Sequence, residues 1–245
     1  MSGERKKIGM MISEIGFGNL PVLLKSAGLD FMILDCEHGA FDYSDVLTML
    51  TTARLCGLES IVRLPDNTRR DIIRFLDMGA EGLLLPMTNN AEEIGQVVKY
   101  AKYPPEGKRG ISTMRGHTMY NSLKLGEYMP EANARTKVFA QIETKSGIEN
   151  MAKIINAEGV SGIFVGPNDL SADYGCAGEE NAQCVTEGIE KVGKAIAGTE
   201  KTAGIITGNR VYTETAKNAG FTYYCRGSEL HAIAEYCRKS TESFK

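Results

Sequence analysis

Residues 31–35 read FMILD, residues 82–86 read GLLLP and residues 162–166 read GIFVG. Each run is apolar from end to end and does not alternate with polar residues. A strand of that kind is covered on both faces, as in a parallel sheet flanked by helices. Five further runs of similar length lie at 8–12, 60–64, 138–143, 203–207 and 222–226. Between these eight strand candidates, apolar residues recur at helical spacing over 45–55, 69–78, 92–102, 148–155, 186–197 and 213–218. Gly57, Gly79, Gly159 and Gly220 stand just past the ends of several of these stretches, where helices commonly stop. Eight strand–helix units in 245 residues fit a single α/β domain over 1–245, a (β/α)8 barrel, a fold that typically takes about 250 residues. The rival is an open, doubly wound sheet. It usually needs fewer strands, and no G-x-G-x-x-G follows the first strand here.

Composition removes several function classes. The chain is 42% hydrophobic and 24% charged with a net charge of −3, so no basic surface predicts a nucleic-acid or membrane partner. No apolar run approaches the length of a spanning helix, and MSGERKKIGMMIS lacks the plan of a secretory signal. Six scattered cysteines without a C-x-x-C pair are expected to be reduced thiols in a cytoplasmic protein. Only three histidines are present, so a metal centre would have to be built on carboxylates. The stretch 103–135 breaks the rhythm with three of the seven prolines. It is too long for an ordinary strand–helix connection, and it reads either as a surface excursion with one helix near Asn133 or as a lid or subunit-contact loop.

In a (β/α)8 barrel the chemistry sits where strands end. The second strand ends Asp35-Cys36-Glu37-His38-Gly39, the third carries Arg63, and the fifth ends Gln141-Ile142-Glu143. The sixth ends Gly166-Pro167-Asn168-Asp169, and the eighth ends Arg226-Gly227. Glu143 and Asp169, on neighbouring strand ends, are the best candidate metal ligands, or else loop and capping carboxylates. Two carboxylates plus water suit a hard divalent cation. Asp35, three residues before His38, could fix the imidazole tautomer and leave the other ring nitrogen as a general base near neutral pH. Glu37 between them faces either a metal-bound water or solvent. Arg63 inside an apolar strand requires an anion, supplied by substrate or by Asp35. The amides of Asn168 and Asp169, in the turn shaped by Gly166 and Pro167, can face an anion. Arg109 and Arg115 are weaker candidates, and His117 and His231 read as surface histidines.

In order along the chain, LDCEHGAFDY, VRLPDN, GAEGLLLPMTNNAEE, YPPEGKRGIS, QIETKSGIEN and GPNDLSADYG resemble the HpcH/HpaI aldolase family over roughly residues 5–238. The resemblance implies a barrel of the phosphoenolpyruvate/pyruvate superfamily type, in a homo-oligomer, a hexamer favoured, whose subunits exchange a C-terminal helix. It implies a divalent cation (Mg²⁺, Mn²⁺ or Co²⁺) on Glu143 and Asp169, with Glu37 orienting a metal-bound water. His38 with Asp35 would be the base dyad, and Arg63 would hold the pyruvyl oxygen. Gln141, Gly166, Pro167, Asn168 and Asp169 would line the pyruvate subsite. The family more often has a small residue where Asn168 stands, and residues 111–120 depart from its usual pattern. The expected reaction is reversible cleavage of a 4-hydroxy-2-oxo acid, such as a 2-keto-3-deoxy sugar acid or 4-hydroxy-2-oxoheptanedioate, to pyruvate and an aldehyde.

Three rivals remain at the level of sequence. A Schiff-base aldolase needs a lysine inside the barrel, and none of the eight predicted strands holds one; Lys145 lies too far into the following helix. A related lyase could act on an acyl-CoA thioester, as the citrate-lyase β-subunit relatives do. A non-catalytic ligand-binding barrel is disfavoured by the full set Asp35, His38, Arg63, Glu143 and Asp169.

Overall fold

The computed structural model describes residues 5–179 and 181–244. Its strands are β1 (Lys7–Ile12), β2 (Phe31–Asp35), β3 (Glu59–Arg63), β4 (Gly82–Leu85), β5 (Lys137–Ile142), β6 (Gly162–Val165), β7 (Thr202–Ile206) and β8 (Tyr223–Ser228). All neighbours are parallel, and β8 returns to β1 to close the barrel. The helices are α1 (Leu20–Ser26), α2 (Tyr43–Cys56), α3 (Arg69–Met78), α4 (Ala91–Ala101), α5 (Leu125–Arg135), α6 (Lys145–Ile155), α7 (Pro167–Asp173), α8 (Gln183–Ile196), α9 (Arg210–Asn218) and α10 (Glu229–Glu242). Every strand and helix expected from periodicity is present. Three helices, α6, α8 and α9, begin three residues earlier than apolar spacing indicates. Thr144 caps α6 through the Gly147 amide, and Asn209 caps α9 through the Tyr212 amide. Gly57 and Gly79 end α2 and α3 in the left-handed conformation, at φ 69° and 111°. Periodicity misses α1, α7 and α10; the first two are only seven residues long with a proline in the first turn.

Successive strand residues point to opposite faces, which explains the unbroken apolar runs. Phe31, Ile33, Ile61, Leu84, Phe139, Phe164, Tyr223 and Cys225 pack inside the barrel. Met32, Leu34, Val62, Leu83, Val138 and Val165 pack outward against the helices. The interior is filled by rings: Phe139 and Phe164 meet edge to face at 5.2 Å. Gly9 and Gly204 make room for them, since a Cβ would lie 2.6 Å from the Phe31 ring and 2.5 Å from that of Phe164.

This period of two also sorts the polar residues. Starting from the N-terminal end, β3 presents Glu59, Ile61 and Arg63 in turn, and β5 presents Lys137, Phe139 and Gln141. At the bottom, Glu59 bonds both Lys7 and Lys137 at 2.5 Å, and all three meet the Tyr223 hydroxyl. β1 and β5 therefore begin one residue earlier than expected and do contain lysines. Both lysines are ion-paired at the end opposite the strand tips.

The 103–135 excursion docks on the flank of α2 and α3. Arg54 of α2 donates to the carbonyls of Gly116 and His117, and Arg109 pairs with Asp77 of α3 at 2.9 Å. Tyr103, Tyr128 and Ala132 form its own small core. His117 is consequently buried, not superficial, with Nδ1 facing the Asp77 carbonyl at 3.3 Å. The expected helix near Asn133 is α5.

Candidate active site

The β2–β3 register sets Asp35 beside Arg63 at the C-terminal end of the barrel. Asp35 accepts from Arg63 Nε at 3.0 Å and Nη2 at 2.6 Å, and from the amides of Glu37 and His38 at 3.1 Å each. Burial alone would push the Asp35 carboxyl up, but the guanidinium and the two amides hold it below the ordinary range. Arg63 reaches further, with Nη1 3.2 Å from Glu37 Oε2.

His38 sits differently from the expected dyad. Its backbone is held by Asp35, while its imidazole is 72% exposed at the mouth, with Nε2 3.9 Å from Glu37 Oε2. The Asp35 oxygens are engaged by the planar fork of Arg63, a geometry that suits a carboxylate better than a single imidazole bond. The structure thus corrects the Asp35–His38 side-chain pairing and places Glu37 next to the ring.

Glu143 follows β5 and is 2% exposed. Its Oε1 accepts from the Met87 amide at 2.6 Å and its Oε2 from Gln141 Nε2 at 2.5 Å. Burial pushes this carboxyl up to about 7; the Met87 amide opposes the rise, while Asp169 and Glu37 add like-charge repulsion. Asp169 stands in the first turn of α7 and is exposed to the barrel mouth. Gly166 turns the chain from β6 into α7 against Glu143: a Cβ there would lie 2.5 Å from Glu143 Oε2 and 3.0 Å from Gln141 Nε2. Pro167 follows as the first residue of α7, and Asn168 is exposed beside Asp169.

Glu37, Glu143 and Asp169 therefore lie within electrostatic reach of one another, with Arg63 as the facing cation. Three carboxylates sharing a mouth are costly unless a cation joins them. Among the described residues, no group of three or more His, Cys, Asp or Glu side chains is placed to hold a metal ion. Two carboxylates with free coordination positions match a hard divalent ion that retains water or takes up substrate oxygens. Gln141 Oε1 is also buried without a partner among the described residues, an acceptor left over for a ligand. Glu143 and Asp169 thus fit the expected cation.

Sequence reasoning missed Met87. Its backbone lies at φ 48°, uncommon for a side-chain-bearing residue, and that twist aims its amide at Glu143. The turn composition of Pro86-Met87-Thr88-Asn89-Asn90 was the available signal. Three other candidates lie elsewhere. Lys145 caps the Tyr174 ring at 5.3 Å, Arg226 donates to Thr213 of α9, and Arg115 bonds Ser112 within the excursion.

Comparison with known proteins agrees with this fold. The family model described as HpcH/HpaI aldolase/citrate lyase matches residues 22–234. A 5-keto-4-deoxy-D-glucarate aldolase of Enterobacter sp. (strain 638) is 32% identical over 223 residues, covering 91% of this chain and 86% of that protein. A 4-hydroxy-2-oxo-heptane-1,7-dioate aldolase of Salmonella arizonae is 33% identical over 213 residues, covering 86% and 80%. The crystal structure of an HpcH/HpaI aldolase from Desulfitobacterium hafniense superposes with a TM-score of 0.93 at 29% identity, over 98% of this chain and 93% of that one.

Proposed function

The chain belongs to the HpcH/HpaI aldolase/citrate lyase family, and from that premise we propose that its carboxylate-lined mouth cleaves a 4-hydroxy-2-oxo acid reversibly to pyruvate and an aldehyde. Membership makes it a carbon–carbon lyase. The relatives point to sugar-acid-derived or dicarboxylic 2-oxo acids as the substrate class. The carrying observation is the convergence of Glu37, Glu143 and Asp169 on Arg63 at the open end of the barrel.

In this reading Glu143 and Asp169 hold a divalent cation, Mg²⁺, Mn²⁺ or Co²⁺. When bound, that ion supplies Lewis-acid polarisation of the 2-oxo acid. The chain's own residues do the rest. The amides of Asn168 and Asp169 orient the pyruvyl end, and Gln141 Nε2 holds the Glu143 carboxylate in place beside it. His38, exposed at the mouth beside Glu37, accepts the proton of the C4 hydroxyl. The C3–C4 bond then breaks, its electrons pass to the C2 oxygen, and the aldehyde leaves. Arg63 stabilises the resulting enolate charge. Asp35 keeps the guanidinium in place beforehand, so no reorientation is needed during the reaction. Return of a proton to C3 gives pyruvate. Losing one such charge-stabilising group costs about 10²–10³ in kcat in comparable sites.

The test is pyruvate release from a panel of 4-hydroxy-2-oxo acids, with malyl- and citramalyl-type thioesters as the competing class. Turnover should vanish with EDTA and return with Mg²⁺, Mn²⁺ or Co²⁺. Turnover that survives Glu143→Ala, or borohydride trapping of a pyruvate adduct, would refute the metal-dependent reading.

A further inference from the structure

Cys176 and Cys184 lie outside the catalytic constellation, and their sulfurs are 2.9 Å apart. Both are half-buried free thiols. Cys176 follows the C-terminal end of α7, its amide bonded to the Ser171 carbonyl at 2.9 Å, and Cys184 belongs to the first turn of α8. The connection between them is anchored from below by one hydroxyl. Tyr212 of α9 donates to the Glu179 carbonyl at 3.2 Å and accepts from the Ala182 amide at 3.2 Å. A disulfide bond is about 2.05 Å long, so the sulfurs need only close by under about 1 Å while these anchors stay in place.

We propose that Cys176 and Cys184 are a covalent modification site, a pair that closes into a reversible disulfide linking α7 to α8 when the protein meets a small disulfide oxidant. Either sulfur can donate in this contact, and the exchange can start at Cys184. Cys176 is pushed up to about 11, chiefly by its hydrogen bond to Cys184 and then by burial. The Cys184 sulfur attacks one sulfur of glutathione disulfide and expels one glutathione, which carries off the Cys184 proton. Cys176 then attacks the Cys184 sulfur of the mixed disulfide and expels the second glutathione, giving up its own proton to it. Two protein sulfurs are oxidised and two glutathione sulfurs are reduced, so the exchange balances. Cys36 and Cys225 do not compete, since burial pushes each thiol up to about 12.

The experiment treats the native full-length protein with glutathione disulfide, quenches with acid, alkylates and maps the peptides. Two of the six thiols should disappear into a Cys176–Cys184 cross-link that dithiothreitol reverses. The short closed loop should raise the melting temperature by about 5 °C. Cys176→Ser should stop at a glutathione adduct on Cys184, whereas Cys237→Ser should still form the cross-link. The proposal is overturned if all six thiols persist, if the only product is an adduct on the exposed Cys237, or if the cross-linked protein melts lower than the reduced one.

Discussion

Arg63 carries two duties with one side chain. Two of its nitrogens are committed to Asp35, and the third, Nη1, faces Glu37 and the mouth. A lysine would keep the charge but could not span both carboxylates, because an ammonium is a point donor and a guanidinium is a planar fork. Arg63→Lys is therefore expected to leave the circular dichroism spectrum intact while lowering kcat/KM for pyruvate formation by about 10²-fold or more. A variant that retains wild-type kcat/KM would remove Arg63 from the oxyanion role and leave it as a structural partner of Asp35. Asp35→Asn should behave worse in stability than in binding. It strands a buried guanidinium, and breaking such pairs typically costs about 3–5 kcal/mol. Urea unfolding distinguishes the two effects.

The loop between β4 and α4 is the element that holds Glu143. Met87 at φ 48° aims its amide at Oε1, and Thr144 Oγ1 donates to Asn89 to tie the loop to the start of α6. The bond is made by backbone, so the side chain matters only through the dihedral it permits. Glycine adopts a positive φ freely, whereas a β-branched residue resists it strongly. Met87→Gly should bind Mn²⁺ within a few-fold of wild type, and Met87→Val should lose about tenfold or more in affinity, measured by titration calorimetry. Equal affinities for both would dissociate the loop from the site. This is also where the sequence stopped being readable. The strand tips were legible because apolar runs end abruptly in Asp35, Arg63 and Glu143, where a period of two fixes which face each side chain takes, and Asp169 follows the sixth run within one turn. The Met87 amide was not, because a backbone donor has no letter, and the turn residues 86–90 mark a bend without saying where an amide points. The orientation of His38 was lost for a related reason. Spacing put it three residues from Asp35, but the competition for those oxygens came from another strand.

Across the whole barrel, polar chemistry sits at both ends of an apolar stack, and the two ends answer to different measurements. At the bottom, burial would raise Glu59, but the hydrogen bonds from Lys137 and Lys7 outweigh it and hold the carboxyl below its usual 4.5. A depressed carboxylate contributes stability that is complete above that value and is lost as pH falls through the folded-state pKa. The Glu59 contribution, read as the melting-temperature difference between wild type and Glu59→Gln, should thus be constant from neutral down to about pH 5 and shrink in stronger acid, where Glu59 protonates. Glu59→Gln should cost about 2 kcal/mol, less than a fully buried pair because both lysines are a third exposed. The remaining feature of molecular scale is α10. Its first residue, Glu229, is buried and accepts from the amides of Ser13, Glu14 and Ile15, which fixes where the helix leaves the barrel. Residues 230–239 are exposed, yet Leu230, Ile233, Ala234 and Cys237 fall at i, i+3, i+4 and i+7, an apolar stripe with no core of its own chain beneath it. A stripe of that period is built to be covered, and exchange of α10 between subunits of a homo-oligomer would cover it. Ile233→Lys places a charge in the stripe without touching Glu229 or the catalytic end. Sedimentation velocity should then show a smaller assembly than wild type, while an unchanged sedimentation coefficient would place α10 outside the subunit interface.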